Sequence, residues 1–310
     1  MENKEITVPV LFIGFNRPKV SLQTFDYIRK AKPTKLYIAI DGPRADKPDE
    51  EKLVTEVKKV VENVDWPCET HYKYNETNKG AEITVSSAIS WVFETEEYTI
   101  ILEDDIVAPL SFFKFAQEML FRYKDEEKIW AISGVNFTPL PRAYDTDYFF
   151  AKYGHTWGWA TWKRVWNNFD LYAEVQEEHL SNKFLASITN SKKELIHYKK
   201  KFKRILDNGK GNSTWDNMAS YMHRTKGLLY IVPSTNLISN IGDYGLHARG
   251  KTKYHYTDFD KSFIVKKHPE NIECNVEYDK YHFRNYINKK RRFMERLILR
   301  VKSMIKSLKL

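Results

Sequence analysis

At 310 residues the chain is long enough for one sizeable core or two small ones, and 42% hydrophobic residues with 18 Phe, 19 Tyr and 8 Trp exclude a disordered protein. The net charge of +9 is concentrated in the segment 289–310, where nine basic residues face the single acid Glu295, so the remaining body is close to neutral in sum, and it carries no recognised nucleic-acid motif. Cys68 and Cys274 are too few for a disulfide framework or a metal knuckle, no apolar run reaches the length of a membrane span, and Met1 to Glu5 lack a signal-peptide start, which together give the expectation of a cytoplasmic protein.

Residues 8–15 read as a fully buried strand ended by Asn16-Arg17-Pro18, and residues 20–30 as an amphipathic helix. A second buried strand over 35–40 is closed by Asp41-Gly42-Pro43-Arg44 and followed by a charged amphipathic helix over 49–63. Residues 69–74 form a weaker strand. Asn78-Lys79-Gly80 then breaks the chain before a helix over 83–93, and 99–102 is the next strand. This β-α-β-α-β-α-β order, with near-continuous apolar strands, predicts an α/β fold: an open parallel sheet with helices on both faces. From residue 129 the pattern changes. Ile129 to Gly134 is a strand and turn, aromatic-rich segments include Trp157-Gly158-Trp159, 179–208 is mostly helical, 215–224 is a helix, 227–232 a strand and 233–282 loop-rich. No repeat or low-complexity linker intervenes, so one continuous unit is expected.

Glu103-Asp104-Asp105 follows the apolar run Tyr98 to Leu102. Three adjacent carboxylates repel one another, and a hard divalent cation such as Mg²⁺ or Mn²⁺ relieves that repulsion, because such ions take one or two carboxylates plus the oxygens of a substrate phosphate. The competing reading is a helix start at Pro109, whose dipole favours nearby negative charge. In parallel α/β sheets ligands bind beyond the carboxyl ends of the strands, and the chain places Asn16-Arg17, Asp41, Asn78 to Gly80 and Glu103 to Asp105 at those ends. The first loop carries neither Gly-x-Gly-x-x-Gly nor Gly-Lys-Ser/Thr, which disfavours a dinucleotide or P-loop site there.

The order strand-Asn-Arg-Pro, strand-Asp-Gly, Asn-x-Gly-helix, strand-Glu-Asp-Asp resembles the nucleotide-diphospho-sugar glycosyltransferases of the GT-A fold. Glu103 to Pro109 with Phe112-Phe113, Ile129 to Gly134, Trp157-Gly158-Trp159, Trp215-Asp216 and Pro233 to Gly242 are similar to N-acetylglucosaminyltransferase I and its bacterial surface-polysaccharide relatives, over roughly residues 8–250. The resemblance implies a Rossmann-like unit with a nucleotide-sugar half over 1–128, an acceptor-binding and catalytic half over 129–282, and a basic tail over 283–310. It implies a metal-dependent, inverting transfer of a sugar from a nucleoside-diphosphate donor, such as a UDP-sugar, to a glycan or lipid-linked glycan, with Mn²⁺ or Mg²⁺ as cofactor. Residue by residue, it makes Asp105 the metal ligand, Asp104 a contact to the ribose or the metal's water shell, Glu103 a contact to the donor sugar, and Asp216 the catalytic base. Arg17 and Asp41 would meet the nucleotide base, with Asn78 and Gly80 at its border. Each has a plainer reading: Asp216 as a helix cap, Asp41-Gly42 as an ordinary turn, Arg17 as an exposed loop residue. Trp157 and Trp159 are candidates for a sugar platform or donor-pocket wall, against packed core tryptophans. His247 is a candidate to reach the diphosphate or metal, against a surface histidine.

Phe293, Met294, Leu297, Ile298, Val301, Ile305 and Leu308 recur at helical spacing among the cations of 289–310. That pattern reads either as a basic amphipathic helix drawn to an anionic membrane surface at the inner face of the cell membrane or as a terminal helix packed on the body. Two other functions fit the order of elements: a nucleotidyltransferase on a related α/β fold, and a non-catalytic glycan- or membrane-binding protein that keeps the fold.

Overall fold

Four apolar runs in the first hundred residues pair side by side in a computed structural model, which describes residues 5–138, 145–242 and 254–288. They are β1 (Val10–Gly14), β2 (Lys35–Ile40), β3 (Glu69–Tyr74) and β4 (Tyr98–Glu103), all parallel. Between them run α1 (Pro18–Ala31), α2 (Asp49–Val61) and α3 (Ala81–Val92). Then come β5 (Ile106–Val107), α4 (Leu110–Arg122), β6 (Ile129–Ser133), β7 (Tyr148–Ala151), β8 (Trp159–Trp162) and the single turn α5 (Lys163–Trp166). The chain continues through α6 (Asn182–Ile188), α7 (Lys192–Asn208), α8 (Trp215–Thr225), β9 (Leu229–Pro233), β10 (Ser239–Asn240) and α9 (Val276–His282).

Eight strands form one sheet in the order β3-β2-β1-β4-β8-β6-β9-β7. β8 runs antiparallel to β4 and β6, and β7 antiparallel to β9; the other pairings are parallel, so the sheet is mostly parallel and the fold is α/β. Parallel crossovers are right-handed. From β1 the chain therefore moves outward to β2 and β3 with α1 and α2 on one face, then returns across β1 to β4 with α3 on the other. The packing agrees, since α1 lies against α2 and α4, while α3 lies against β1, β2 and α8. β1 and β4 are neighbours whose following segments diverge. Their shared carboxyl end is the topological switch point, where the crevice of such a sheet opens.

The segment 157–162, read from sequence only as aromatic-rich, is the strand that joins the two halves. Every residue of β8 is buried. With both faces covered there is no polar alternation to mark it, and four residues are too few to show a period. Likewise α9, inside the stretch read as loop-rich, is a seven-residue helix started by Asn275, whose side chain accepts from the Tyr278 amide at 2.9 Å. A π-helical turn, Phe283–Ile287, extends it.

Candidate active site at the switch point

The cleft between the ends of β1 and β4 has a volume of about 210 Å³ and is lined by Ile13 to Arg17, Asp41, Asn78, Gly80, Ala81, Thr84 and Glu103 to Asp105. Pro18 fixes the start of α1, so Arg17 sits at its N-cap and its guanidinium turns across the crevice. Arg17 Nε donates to Asp104 Oδ2 at 3.1 Å, a second nitrogen pairs with Asp104 Oδ1, and the same nitrogen reaches Asp105 Oδ2 at 3.0 Å. Thr24 Oγ1 of α1 holds the Asp104 carbonyl at 2.8 Å. Asp104 is thus locked inward, its side chain 6% exposed, while Asp105 is 16% exposed toward the cleft.

Asp105 is held from the other half of the molecule. β5, one residue beyond it, pairs antiparallel with β10. The Ile241 amide donates to the Asp105 carbonyl at 2.8 Å, and Asn240 Nδ2 faces Asp105 Oδ1 at a long 3.5 Å. Gly242 packs on the Asp105 carboxylate so closely that any Cβ there would collide with it. The sequence pattern Pro233 to Gly242 drew attention to this segment without showing that its task is to seat Asp105.

The electrostatics are unbalanced. Burial, together with the charges of Asp105 and Asp104, pushes the Glu103 carboxyl up to about 8, and Arg17 offsets only part of this. Burial likewise raises Asp104 to about 6 against the pull of Arg17. Burial alone would lower the Arg17 pKa, but the charges of Asp104 and Asp105 outweigh it and raise it. One guanidinium therefore faces three carboxylates, and the surplus negative charge lies at the cleft floor.

Asp41 lines the cleft, yet its carboxylate is occupied. It accepts from the Gly42 amide at 3.0 Å, Asn75 Nδ2 at 2.9 Å, Asn78 Nδ2 at 2.8 Å, the Lys79 amide at 2.9 Å and the Gly80 amide at 3.1 Å. Its evident task is to fold the 75–80 loop under the N-terminus of α3; Asn75 in this network had no sequence signal beyond being near Asn78. Gly80, at φ +80°, is the N-cap of α3, and the left-handed backbone there favours glycine. The first-turn amides of α3 beside Ala81 face the same cleft as Gly80, an arrangement that suits an anionic group.

Asp216 is exposed in the first turn of α8. It is not the cap, since Thr214 holds that position, and among the described residues no hydrogen bond or ion pair engages its carboxylate. Its charge is nevertheless felt at Glu103, Lys201 and Tyr230. It raises the Glu103 pKa alongside the larger effects of burial and the neighbouring aspartates, and it opposes the burial that lowers Lys201 of α7. Asp216 itself lines neither the cleft nor the cavity beside α7, whose lining includes its neighbour Asn217.

The tryptophans separate. Trp159 is 1% exposed and stacks on Trp215 at 6.0 Å between ring centroids, so it is a core residue that fixes the start of α8 and does not face a sugar. Trp157 is half-buried and stacks on His255 at 5.9 Å; His255 bridges to Asn240, which places Trp157 beside the strand that seats Asp105 but outside the lining of the cleft. His247 and the tail 289–310 lie outside the described residues.

Hard carboxylate oxygens of one or two residues suit Mg²⁺ or Mn²⁺, which take their remaining ligands from water and phosphate. The residues present fit such an ion: Asp105 is aimed at the cleft, Asp104 lies next to it, and the charge there is undercompensated. Among the described residues no group of three or more His, Cys, Asp or Glu is gathered as an all-protein cage, and no helix is long and apolar enough to cross a membrane.

No protein-family model matches the chain, and no curated protein sequence matches it. Among solved structures it is similar in part to a mannosyltransferase from Pyrobaculum calidifontis in complex with GDP-Man and Mn²⁺ (15% identity, 51% of this chain and 44% of that one, TM-score 0.33). It is also similar in part to TarS residues 1–349 from S. aureus (11% identity, 75% and 60% coverage, TM-score 0.38). A third partial likeness is to UDP-glucose pyrophosphorylase complexed with UDP-glucose (10% identity, 52% and 71% coverage, TM-score 0.27). The chain thus spans about half of the first two structures it resembles.

Proposed function

We propose that this chain is a cation-dependent, inverting glycosyltransferase of the GT-A type that moves a hexose from a nucleoside-diphosphate donor to a glycan or lipid-linked glycan. The observation that carries the reading is the meeting of Arg17, Glu103, Asp104 and Asp105 in one cleft at the switch point, with the unengaged carboxylate of Asp216 near enough for its charge to be felt there.

Asp105, with Asp104 behind it, would hold Mn²⁺ or Mg²⁺; when bound, that ion supplies Lewis-acid stabilisation to the departing diphosphate. Arg17 holds both aspartates in place. The N-terminus of α3, set by Asp41 through Asn78 and Gly80, offers amide donors to the nucleotide or its phosphates. Glu103 lies at the floor, where the donor sugar would rest. Asp216, exposed and unpaired, takes the proton of the acceptor hydroxyl as the new bond to the anomeric carbon forms and the bond to the diphosphate oxygen breaks. A base on the face opposite the leaving group gives single displacement with inversion, and much of the rate comes from holding acceptor and donor in line.

The test is a panel of nucleotide sugars with Mn²⁺, read by thermal shift and by nucleoside diphosphate release. Asp105→Ala abolishes both transfer and donor hydrolysis while circular dichroism is unchanged. Full activity in that variant, or of the wild type in excess EDTA, overturns the metal role.

A further inference from the structure

α7 buries Tyr198, Phe202 and Ile205 in the core. Beside that face, His197, Lys200, Lys201 and Arg204 recur at i, i+3, i+4 and i+7, so they share one side of the helix. They line a second cavity of about 510 Å³, closed by Asn217 of α8 and by Tyr286 and Ile287 of the π turn. Among the described residues no carboxylate pairs with Lys200, Lys201 or Arg204; the nearby ion pair of α7 joins Lys203 to Asp207 on another side. Among the described residues Lys201 Nζ donates only to Ser220 Oγ, at 3.0 Å. Burial pulls the Lys201 ammonium down to about 8; the charge of Asp216 opposes this, and Arg224 and Arg204 add to it. Like charges at i and i+4, such as Lys200 and Arg204, weaken a helix. The fold thus keeps an uncompensated cationic pocket, and one of its lysines senses the carboxylate of Asp216.

We propose that this pocket is the acceptor subsite for a phosphate ester. It would hold the phosphate through Lys200, Lys201 and Arg204, with Asn217 in the first turn of α8 as a further donor, so that a neighbouring hydroxyl of the acceptor lies at Asp216. The proposal rests on the glycosyltransferase reading for its meaning, but the binding itself does not. The phosphate belongs either to the glycan or to the headgroup of its lipid carrier, and the same chemistry serves both.

The full chain is titrated in EDTA with inorganic pyrophosphate and with soluble dihexanoyl phosphatidic acid, by calorimetry. Lys200→Gln/Arg204→Gln is the test variant and Asp105→Ala the control for the first cleft. The expected result is at least tenfold weaker binding of the probes in the double variant, unchanged binding in Asp105→Ala and unchanged thermal unfolding in both. A tenfold preference for the lipid probe assigns the phosphate to the carrier, and the reverse to the glycan. Equal affinity of wild type and double variant, or no binding to wild type, overturns the proposal. Binding that follows this pattern in a protein that releases no nucleoside diphosphate from any donor sugar keeps the anion site and removes the glycosyltransferase reading instead.

Discussion

The loops after β1 and β4 and the outer side of α7 carry opposite charge. In the first region three carboxylates crowd around one guanidinium, and burial raises Glu103 and Asp104 well above the usual carboxylate range. In the second, His197, Lys200, Lys201 and Arg204 share one cavity with no carboxylate among its lining residues. Asp216, at the start of α8, is felt by both. A body that is nearly neutral by composition is therefore divided into an acidic cleft and a cationic pocket, with the charge of one exposed carboxylate reaching both. Net charge cannot show such a division, because the opposing charges cancel in the sum.

The largest expected effect that bears on this comparison is at its midpoint. Asp216→Asn removes the base but keeps the shape, and sugar transfer falls by about 10²–10⁴-fold. Donor binding by calorimetry and thermal unfolding stay near wild type. A loss of less than tenfold would sink the base assignment. Next is the seam between the two regions. Trp159→Ala removes a buried ring that stacks on Trp215, and costs about 3–5 kcal/mol in chemical denaturation. Because Trp215 begins α8, transfer should fall as well, even though Trp159 lies in the core; an effect on donor affinity alone would return it to the pocket wall.

Asp41→Ala acts on the first region alone. It leaves several donors of the 75–80 loop without their acceptor, at a cost of about 3 kcal/mol, and it weakens donor binding through Asn78 and Gly80. Full stability with lost binding would instead mean that the carboxylate meets the nucleotide directly.

The smallest effect is a mirrored pair read as denaturation against pH in EDTA. Glu103 is raised to about 8 in the fold from an ordinary value of 4.5, so the folded state keeps a proton that the unfolded state has released. Its contribution favours the fold below pH 4.5 and is lost as pH rises to 8, a downward slope that Glu103→Gln removes. Lys201 is lowered to about 8 from 10.5, so the folded state sheds a proton that the unfolded state still holds. Its contribution to stability rises between pH 8 and 10.5, and Lys201→Met removes that slope. Each slope is on the order of 1 kcal/mol per pH unit within its window. Slopes that survive both substitutions would mean the two regions are less desolvated than the structure has them.

The first half of the sheet was legible because β1, β2 and β4 are buried on both faces and read as apolar runs, with polar residues clustered where each run stops, while β3 at the edge is the weaker, polar strand. Arg17 and Asp41 were visible as members of those clusters, but their partners were not. Arg17 turned to Asp104 and Asp105, and Asp41 to Asn75, Asn78 and three amides, because a buried ionised group needs an opposite charge or a full set of donors before it can stay buried. β8 was not legible, since Trp159 to Trp162 has no period to follow. Its insertion between β4 and β6 pairs Trp159 with Ile101, two residues before Glu103.

By itself the sequence determined the α/β order and the strand ends that carry chemistry, because apolar periodicity and acidic clustering are local properties; it was the resemblance that singled out Asp105 among the three carboxylates. Only the tertiary structure decided that Asn240 and Gly242 seat Asp105, that Trp159 is core, that Asp216 is unengaged, and that three cationic side chains of α7 share a cavity with Asn217 beside it. Those facts depend on segments more than a hundred residues apart meeting at one crevice or on which side of a helix faces solvent, and no local pattern encodes either.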